Sequence, residues 1–414
     1  MRWRAFLAFL AALAAGLAAG DVAVAPGRGT LAAAVAVASP GDTLRLSAGT
    51  YEGAVLIHRP LTLRGSDGAV VDGGGQGTVI TIEAPGVEVS GLTVVGSGSS
   101  HETLDAGIKL TKAATGARVL SNTLHGNLHG IDIHGAADAL AQVNTIVGRD
   151  DHRMNERGNG VYVWNAPGEV VRDNDIRLGR DGIFVNVSRE NVFLDNRFQN
   201  LRFAVHYMYA DSGTVEDNIS TGNDLGYAIM FSRGVVLRNN LSVGDRDHGV
   251  MLNYANNALV EGNVVREGGE KCLFMYNANK NILREKTFEG CAIGIHFTAG
   301  SDRNAISGNA FIGNETQLKY VGSDHQEWSE DGRGNYWSDH ASFDLDGDGR
   351  ADQAYRPNDM IDHILWTQPS AKLLLGSPAV QLIRWTQATF PALLLGGVVD
   401  SAPLMAPTVS GVGR

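Results

Sequence analysis

The sequence predicts an all-β chain wound as a right-handed parallel β-helix, and three observations carry that prediction. A short phrase, one small residue followed by alternating apolar and variable positions, returns about every 22 residues between Gly107 and Thr298. Its first positions, Gly107, Gly130, Gly160, Gly182, Ala204, Ala228, Gly249, Cys272 and Gly294, stand 23, 30, 22, 22, 24, 21, 23 and 22 residues apart. This is the spacing of stacked supersecondary units. In phase with it runs a column of asparagines: Asn122, Asn144, Asn174, Asn196, Asn218, Asn240, Asn263 and Asn309. The third observation is composition: 52 glycines serve many tight turns, and the period-2 runs are too short for helices.

In a parallel stack equivalent residues lie about 4.8 Å apart, so a column in the sequence becomes a ladder in space. An amide in a turn bonds the coils on either side of it, which accounts for the asparagines.

The chain opens with Met1-Arg-Trp-Arg4 and an alanine- and leucine-rich run ending at Gly20. A basic start, a short apolar core and small residues at its end predict a secretory signal peptide over residues 1–20, with Ala25 as the alternative cleavage point, and hence a periplasmic protein. Strand-like runs follow from Asp21, and Thr30-Leu-Ala-Ala-Ala-Val-Ala-Val-Ala38 reads as a helix covering the first coil, whose edge would otherwise be open. The predicted domains are the β-helix over 21–320 and a C-terminal cap and partner-docking segment over 321–414.

The formal net charge of -11 and pI near 5.5 exclude the basic surface that nucleic-acid binding needs. An exported protein is permitted a disulfide. Cys291, however, falls three residues before the position stacked on Cys272, so the pair is expected near or beyond the usual Cα limit of about 7 Å, and the pairing stays open.

Within each phrase the second and fourth residues are apolar and point inward; the third and fifth point outward. The outward third positions read Lys109, Asp132, Tyr162, Phe184, His206, Met230, Met251, Phe274 and His296, and the fifth Thr111, His134, Trp164, Asn186, Met208, Ser232, Asn253, Tyr276 and Thr298. A strand face open to water normally carries polar residues; this one carries aromatics, methionines and histidines, as binding surfaces do. His206, Met208, Met230 and Met251 fall on neighbouring coils, and an imidazole with thioethers suits copper(I). A second pair, His152 and Met154, lies in the one overlong coil, about eight residues longer than its neighbours. The competing function on such a fold is a carbohydrate-active enzyme of the polysaccharide lyase or mannuronan epimerase type. The outward columns show no cluster of acid, base and arginine for it.

Past Tyr320 the repeat ends. Asp344, Asp346, Asp348 and Asp352, interleaved with glycines, are spaced like a calcium loop, although Tyr355 stands where an EF-hand has its glutamate. After Pro357 the chain turns apolar, and Ser377-Pro378 marks a helix start. Gly334-Asn-Tyr-Trp-Ser-Asp339, the aspartate-rich turn, Arg356-Pro357, Asp362-His363, and Ala371-Lys-Leu-Leu-Leu-Gly-Ser-Pro-Ala379 with Trp385 together resemble the NosD family. The resemblance spans the mature chain. It implies a non-enzymatic periplasmic protein of nitrous oxide reductase maturation, working with an ABC-type permease and ATPase on the copper-sulfide centre, with a copper chaperone as a further partner. It implies contact with the membrane only through the permease and supplies no catalytic motif.

Overall fold

A computed structural model describes residues 19–322, 324–390 and 396–407; the expected signal peptide lies almost wholly outside them. The chain is a parallel β-solenoid of about 14 turns, each of about 23 residues. Three long sheets of 13, 12 and 13 strands run along it. The sheet of 12 has the longest strands, and its central members are Ala106–Leu110, His129–His134, Val161–Trp164, Asp181–Asn186, Phe203–Met208, Leu225–Met230, His248–Asn253 and Lys271–Tyr276.

The inward column of this sheet, Ile131, Val161, Ile183, Val205, Tyr227, Val250 and Leu273, is fully buried and in parallel register. Helix α1 (Thr30–Val37) covers the first coil, burying Leu31 and Val35.

The asparagine ladder forms as expected. From Asn122 to Asn240 each backbone N–H donates to the Oδ1 of the next asparagine at 2.9–3.0 Å. Each Nδ2 reaches a carbonyl of a neighbouring coil, as Asn218 does to Phe193 at 2.9 Å. Between Asn263 and Asn309 the slot is filled by Lys286, fully buried, whose Nζ lies 2.8 Å from the Val260 carbonyl in place of an amide. Burial pushes that amine well below its ordinary pKa.

Two expectations need correction. Met208 pairs with Met230 and His206 with Ala228, which in turn pairs with Met251. The phrase of that coil is therefore Gly226-Tyr-Ala-Ile-Met230, two residues earlier than the apolar pattern suggested, because the inward Tyr227 reads as a surface residue. Ser232 is then a buried turn residue that accepts from Ala210 N–H at 3.2 Å. Cys272 and Cys291 form a disulfide with Cα atoms 5.7 Å apart. The turn leading into Ile293–Thr298 brings Cys291 inward, and both sulfurs are buried.

At the far end Trp328 and Trp337 are buried, and Trp337 stacks on Phe311 at 4.1 Å. The returning chain is pinned there by buried Asp400, which accepts from Asn335 N–H (2.7 Å) and Trp337 Nε1–H (2.8 Å). Between these anchors stand α2 (Met360–Thr367) and α3 (Pro378–Thr389); Ser377 caps α3. Among the described residues no helix is long and apolar enough to cross a membrane.

Candidate functional site

The outer face of the 12-stranded sheet holds the candidate site because parallel register stacks its outward residues in columns. His206 is its centre. Only 5% exposed, it lies flat on Phe184 (ring centroids 4.6 Å apart) and edge-on to Phe203 (4.9 Å). Its Nδ1 is 3.1 Å from Asp181 Oδ2, and Arg202 clamps the same carboxylate through Nε (2.8 Å) and Nη2 (2.6 Å). Burial pushes the Asp181 carboxyl up, but the hydrogen bonds from His206 and Arg202 outweigh it and hold it below the usual range. A carboxylate only accepts, so Nδ1 carries a proton toward Asp181 and Nε2 is the other nitrogen of the ring. Nε2 is buried and has no hydrogen-bond partner among the described residues.

Above His206 the column holds Ala228, then Met251. The alanine, itself fully buried, is the smallest residue of this column. Met208 and Met230 flank it, directly paired on adjacent strands, and all three methionines are half-buried. The corrected register thus places one imidazole and three thioethers around a single alanine, a soft donor set of the kind copper(I) favours. Asp181 and Arg202, which hold the imidazole, escaped sequence reasoning: both lie just ahead of the repeated phrase, outside the columns it defines.

Beside the methionines runs an exposed stack, Tyr209, Phe231 and Tyr254, with ring centroids 5.0 Å apart at each step. All three sit in the left-handed region (φ 50–51°), a conformation that disfavours bulky side chains by about 1–2 kcal/mol each. Glycine or asparagine would serve the turn at lower cost.

The second predicted pair is not brought to His206. Exposed His152 has its Nδ1 2.8 Å from Asp151 Oδ1 and lines an open cavity of about 450 Å³ with His125, Arg149 and Asp150. Met154 is in the following 3-10 turn and is not part of that lining. The carboxylates of Asp344, Asp346 and Asp348 approach one another within 4.8 Å. Asp344 takes the N–H groups of Gly347 (2.7 Å) and Gly349 (2.8 Å), and Asp352 takes that of Leu345 (3.0 Å), so the loop closes on its own backbone. Nothing supports calcium there.

Lys109, Asp132 and His134 of the outward columns come together in space. Asp132, fully buried, lies 3.1 Å from Lys109 Nζ and 3.9 Å from His134 Nδ1, with Tyr162 stacked above it. Arg180, from the turn before Asp181–Asn186, stands close enough that its charge acts on Tyr162.

Residues 142–342 match the family model described as "Periplasmic copper-binding protein (NosD)". Two proteins named "Probable ABC transporter binding protein NosD" are similar along most of their length. That of Stutzerimonas stutzeri is 40% identical over 375 residues, covering 87% of this chain and 86% of that protein. The one from Pseudomonas aeruginosa is 41% identical over 373 residues, covering 87% of each. Among solved structures, a lacto-N-biosidase from Eubacterium ramulus superposes with a TM-score of 0.54 over 73% of this chain and 67% of its own, at 11% identity, a likeness of fold alone.

Proposed function

The chain belongs to the NosD family of periplasmic copper-binding proteins, and from that premise we propose that it is a non-enzymatic scaffold. It presents copper(I) during assembly of the copper-sulfide centre of nitrous oxide reductase, with an ABC-type permease and ATPase and a copper chaperone as partners. The observation that carries this reading is the group around Ala228. His206, oriented by Asp181, offers Nε2, and Met208, Met230 and Met251 offer sulfur. Copper is cargo here, so half-buried ligands beside an apolar rim suit transfer better than an enclosed cage. The aromatic stack Tyr209–Phe231–Tyr254 is the matching surface for the protein that gives or takes the ion.

The C-terminal helices suit the permease. Their base is fixed: Asn358 donates to the Leu318 carbonyl at 2.6 Å, and Gly397 N–H to that of Asp324 at 3.0 Å. Beyond it Leu373, Leu382, Trp385 and Phe390 are 91%, 61%, 62% and 56% exposed. An apolar surface on a rigid base is what a docking element requires.

Converting Met208, Met230 and Met251 together to leucine keeps side-chain volume and removes sulfur. This variant is expected to lose copper(I) in competition with a chelator and to yield copper-deficient reductase in cells, while its melting temperature stays unchanged. Wild-type copper binding would move the route to His152 and Met154. Converting Leu373, Leu382, Trp385 and Phe390 to serine, which leaves the Asp400 anchor in place, is expected to abolish copurification with the permease and to leave the β-helix folded; retained copurification contradicts the docking role.

A further inference from the structure

The first part of the same outer face is roofed. The overlong coil and the segment before Ala106–Leu110 are tied together by Arg149, which donates to the carbonyls of Gly126 (2.9 Å), Ser97 and Gly98 (3.1 Å each) and to Ser99 Oγ. His101 Nε2 meets the Glu156 carbonyl at 2.9 Å, and Lys109 Nζ donates to that of Thr103 at 2.9 Å.

Beneath this roof His129, Asp132 and Asn159 are 4%, 0% and 5% exposed. His129 Nδ1 accepts from Asn159 N–H at 3.1 Å, so the ring, held neutral by burial with its pKa down to about 3, carries its proton on Nε2. That buried donor has no acceptor among the described residues. Neither has the buried Nε of Arg180, whose backbone N–H donates to the Gly158 carbonyl at 2.8 Å beside Asn159 and whose guanidinium makes no ion pair there. The Oδ1 of Asn159 is a buried acceptor without a donor among the described residues, and Lys109 is the one short polar partner of Asp132 there. Native structures pair almost all such groups, so donors and acceptors gathered under one roof call for a ligand carrying both.

We propose that this roofed site binds a small hydroxylated carboxylate. The planar fork of Arg180 suits a carboxylate, with His129 Nε2–H as a further donor. Asp132 and the Oδ1 of Asn159 accept from the ligand's hydroxyls. A metal ion is disfavoured because Lys109 already neutralises Asp132. A doubly charged phosphate is disfavoured by the buried Asp132 carboxylate. None of the copper-handling residues takes part, so this site stands or falls independently of that reading.

The chemistry is shared by sugar acids and open-chain hydroxy acids, and calorimetry on the full mature protein separates them. Galacturonate and glucuronate form one arm, tartrate and citrate the other, with neutral galactose and acetate as controls. Saturable binding is expected in one arm, and about tenfold weaker binding for the controls, which lack one half of the recognised chemistry. Arg180→Gln should abolish binding while the protein stays folded. Arg180→Lys, which keeps the charge and loses the fork, should weaken binding and serves if the glutamine variant does not fold. No saturable binding of any acid at millimolar concentration, or unchanged binding in the folded Arg180 variants, overturns the proposal.

Discussion

The asparagine ladder and the outer columns of the long-strand sheet are built from the same coils, yet they differ in almost every respect. Along the ladder one residue type recurs because one hydrogen bond recurs, and its buried amides find partners at about 3 Å. Along the outer columns the chemistry changes at nearly every coil, and buried atoms of His129, His206, His248 and His296 lack partners among the described residues. Repetition is enforced where a side chain must satisfy the coils on either side of it. Where the side chain leaves the stack, the sequence is free to serve something else.

The comparison breaks most sharply at Asn218, whose Oδ1 accepts from both Asn196 N–H and Asn196 Nδ2. Asn218→Leu strands several buried groups at about 1–3 kcal/mol each, so unfolding in urea should show a loss of several kcal/mol. A ladder that tolerates leucine there would not be what fixes the coils.

Lys286, in the ladder, and Glu169, buried in a separate turn where its Oε2 accepts from Ala139 N–H at 3.1 Å, are titratable groups of opposite sign. Burial holds Lys286 well below its ordinary pKa, so between its lowered folded value and about 10.4 the amine is neutral when folded and protonated when unfolded. The unfolded state then binds more protons, and stability rises with pH by up to about 1.4 kcal/mol per unit. Glu169 is pushed up to about 9 by burial; it keeps its proton when folded and loses it near 4.5 when unfolded, so stability falls as pH rises between those values. Lys286→Asn should restore an amide to the slot, raise stability at pH 7 and leave only the falling slope. Glu169→Gln should leave only the rising one. Identical pH profiles for both variants and the wild type would contradict these assignments.

On the outer face the sharpest perturbation is Ala228→Leu, which keeps every sulfur and crowds the buried position between them. Copper(I) affinity should drop by about tenfold, equivalent to about 1.4 kcal/mol, with a loss of stability of about 1–3 kcal/mol from overpacking. The smallest effect on stability is expected at the aromatic rim. Phe231→Asn suits the left-handed backbone better and should stabilise the fold by about 1 kcal/mol or less, while weakening association with the copper-exchanging partner in a pull-down.

The sequence revealed the coil, the cap helix and the ladder because each depends on a pattern that repeats. It misled where one residue departed from its column. Tyr227, inward and buried, broke the apolar code and shifted the phrase by two positions. Lys286, in an asparagine slot, left an apparent gap. Of the candidate site, His206 and the three methionines were legible as outward residues. Asp181, Arg202 and Arg180 were not, since they come from turns or strand starts outside the phrase, and only the fold brings them alongside. Cys291 was misjudged for the same reason: spacing along the chain does not show how sharply a turn carries a residue inward.

X-ray absorption at the copper edge of the copper(I)-loaded protein tests the central claim most directly. One nitrogen and two or three sulfur neighbours are expected, with the sulfur shell lost when Met208, Met230 and Met251 become leucine. A shell of nitrogen and oxygen alone, or a sulfur shell that survives the triple substitution, would contradict it.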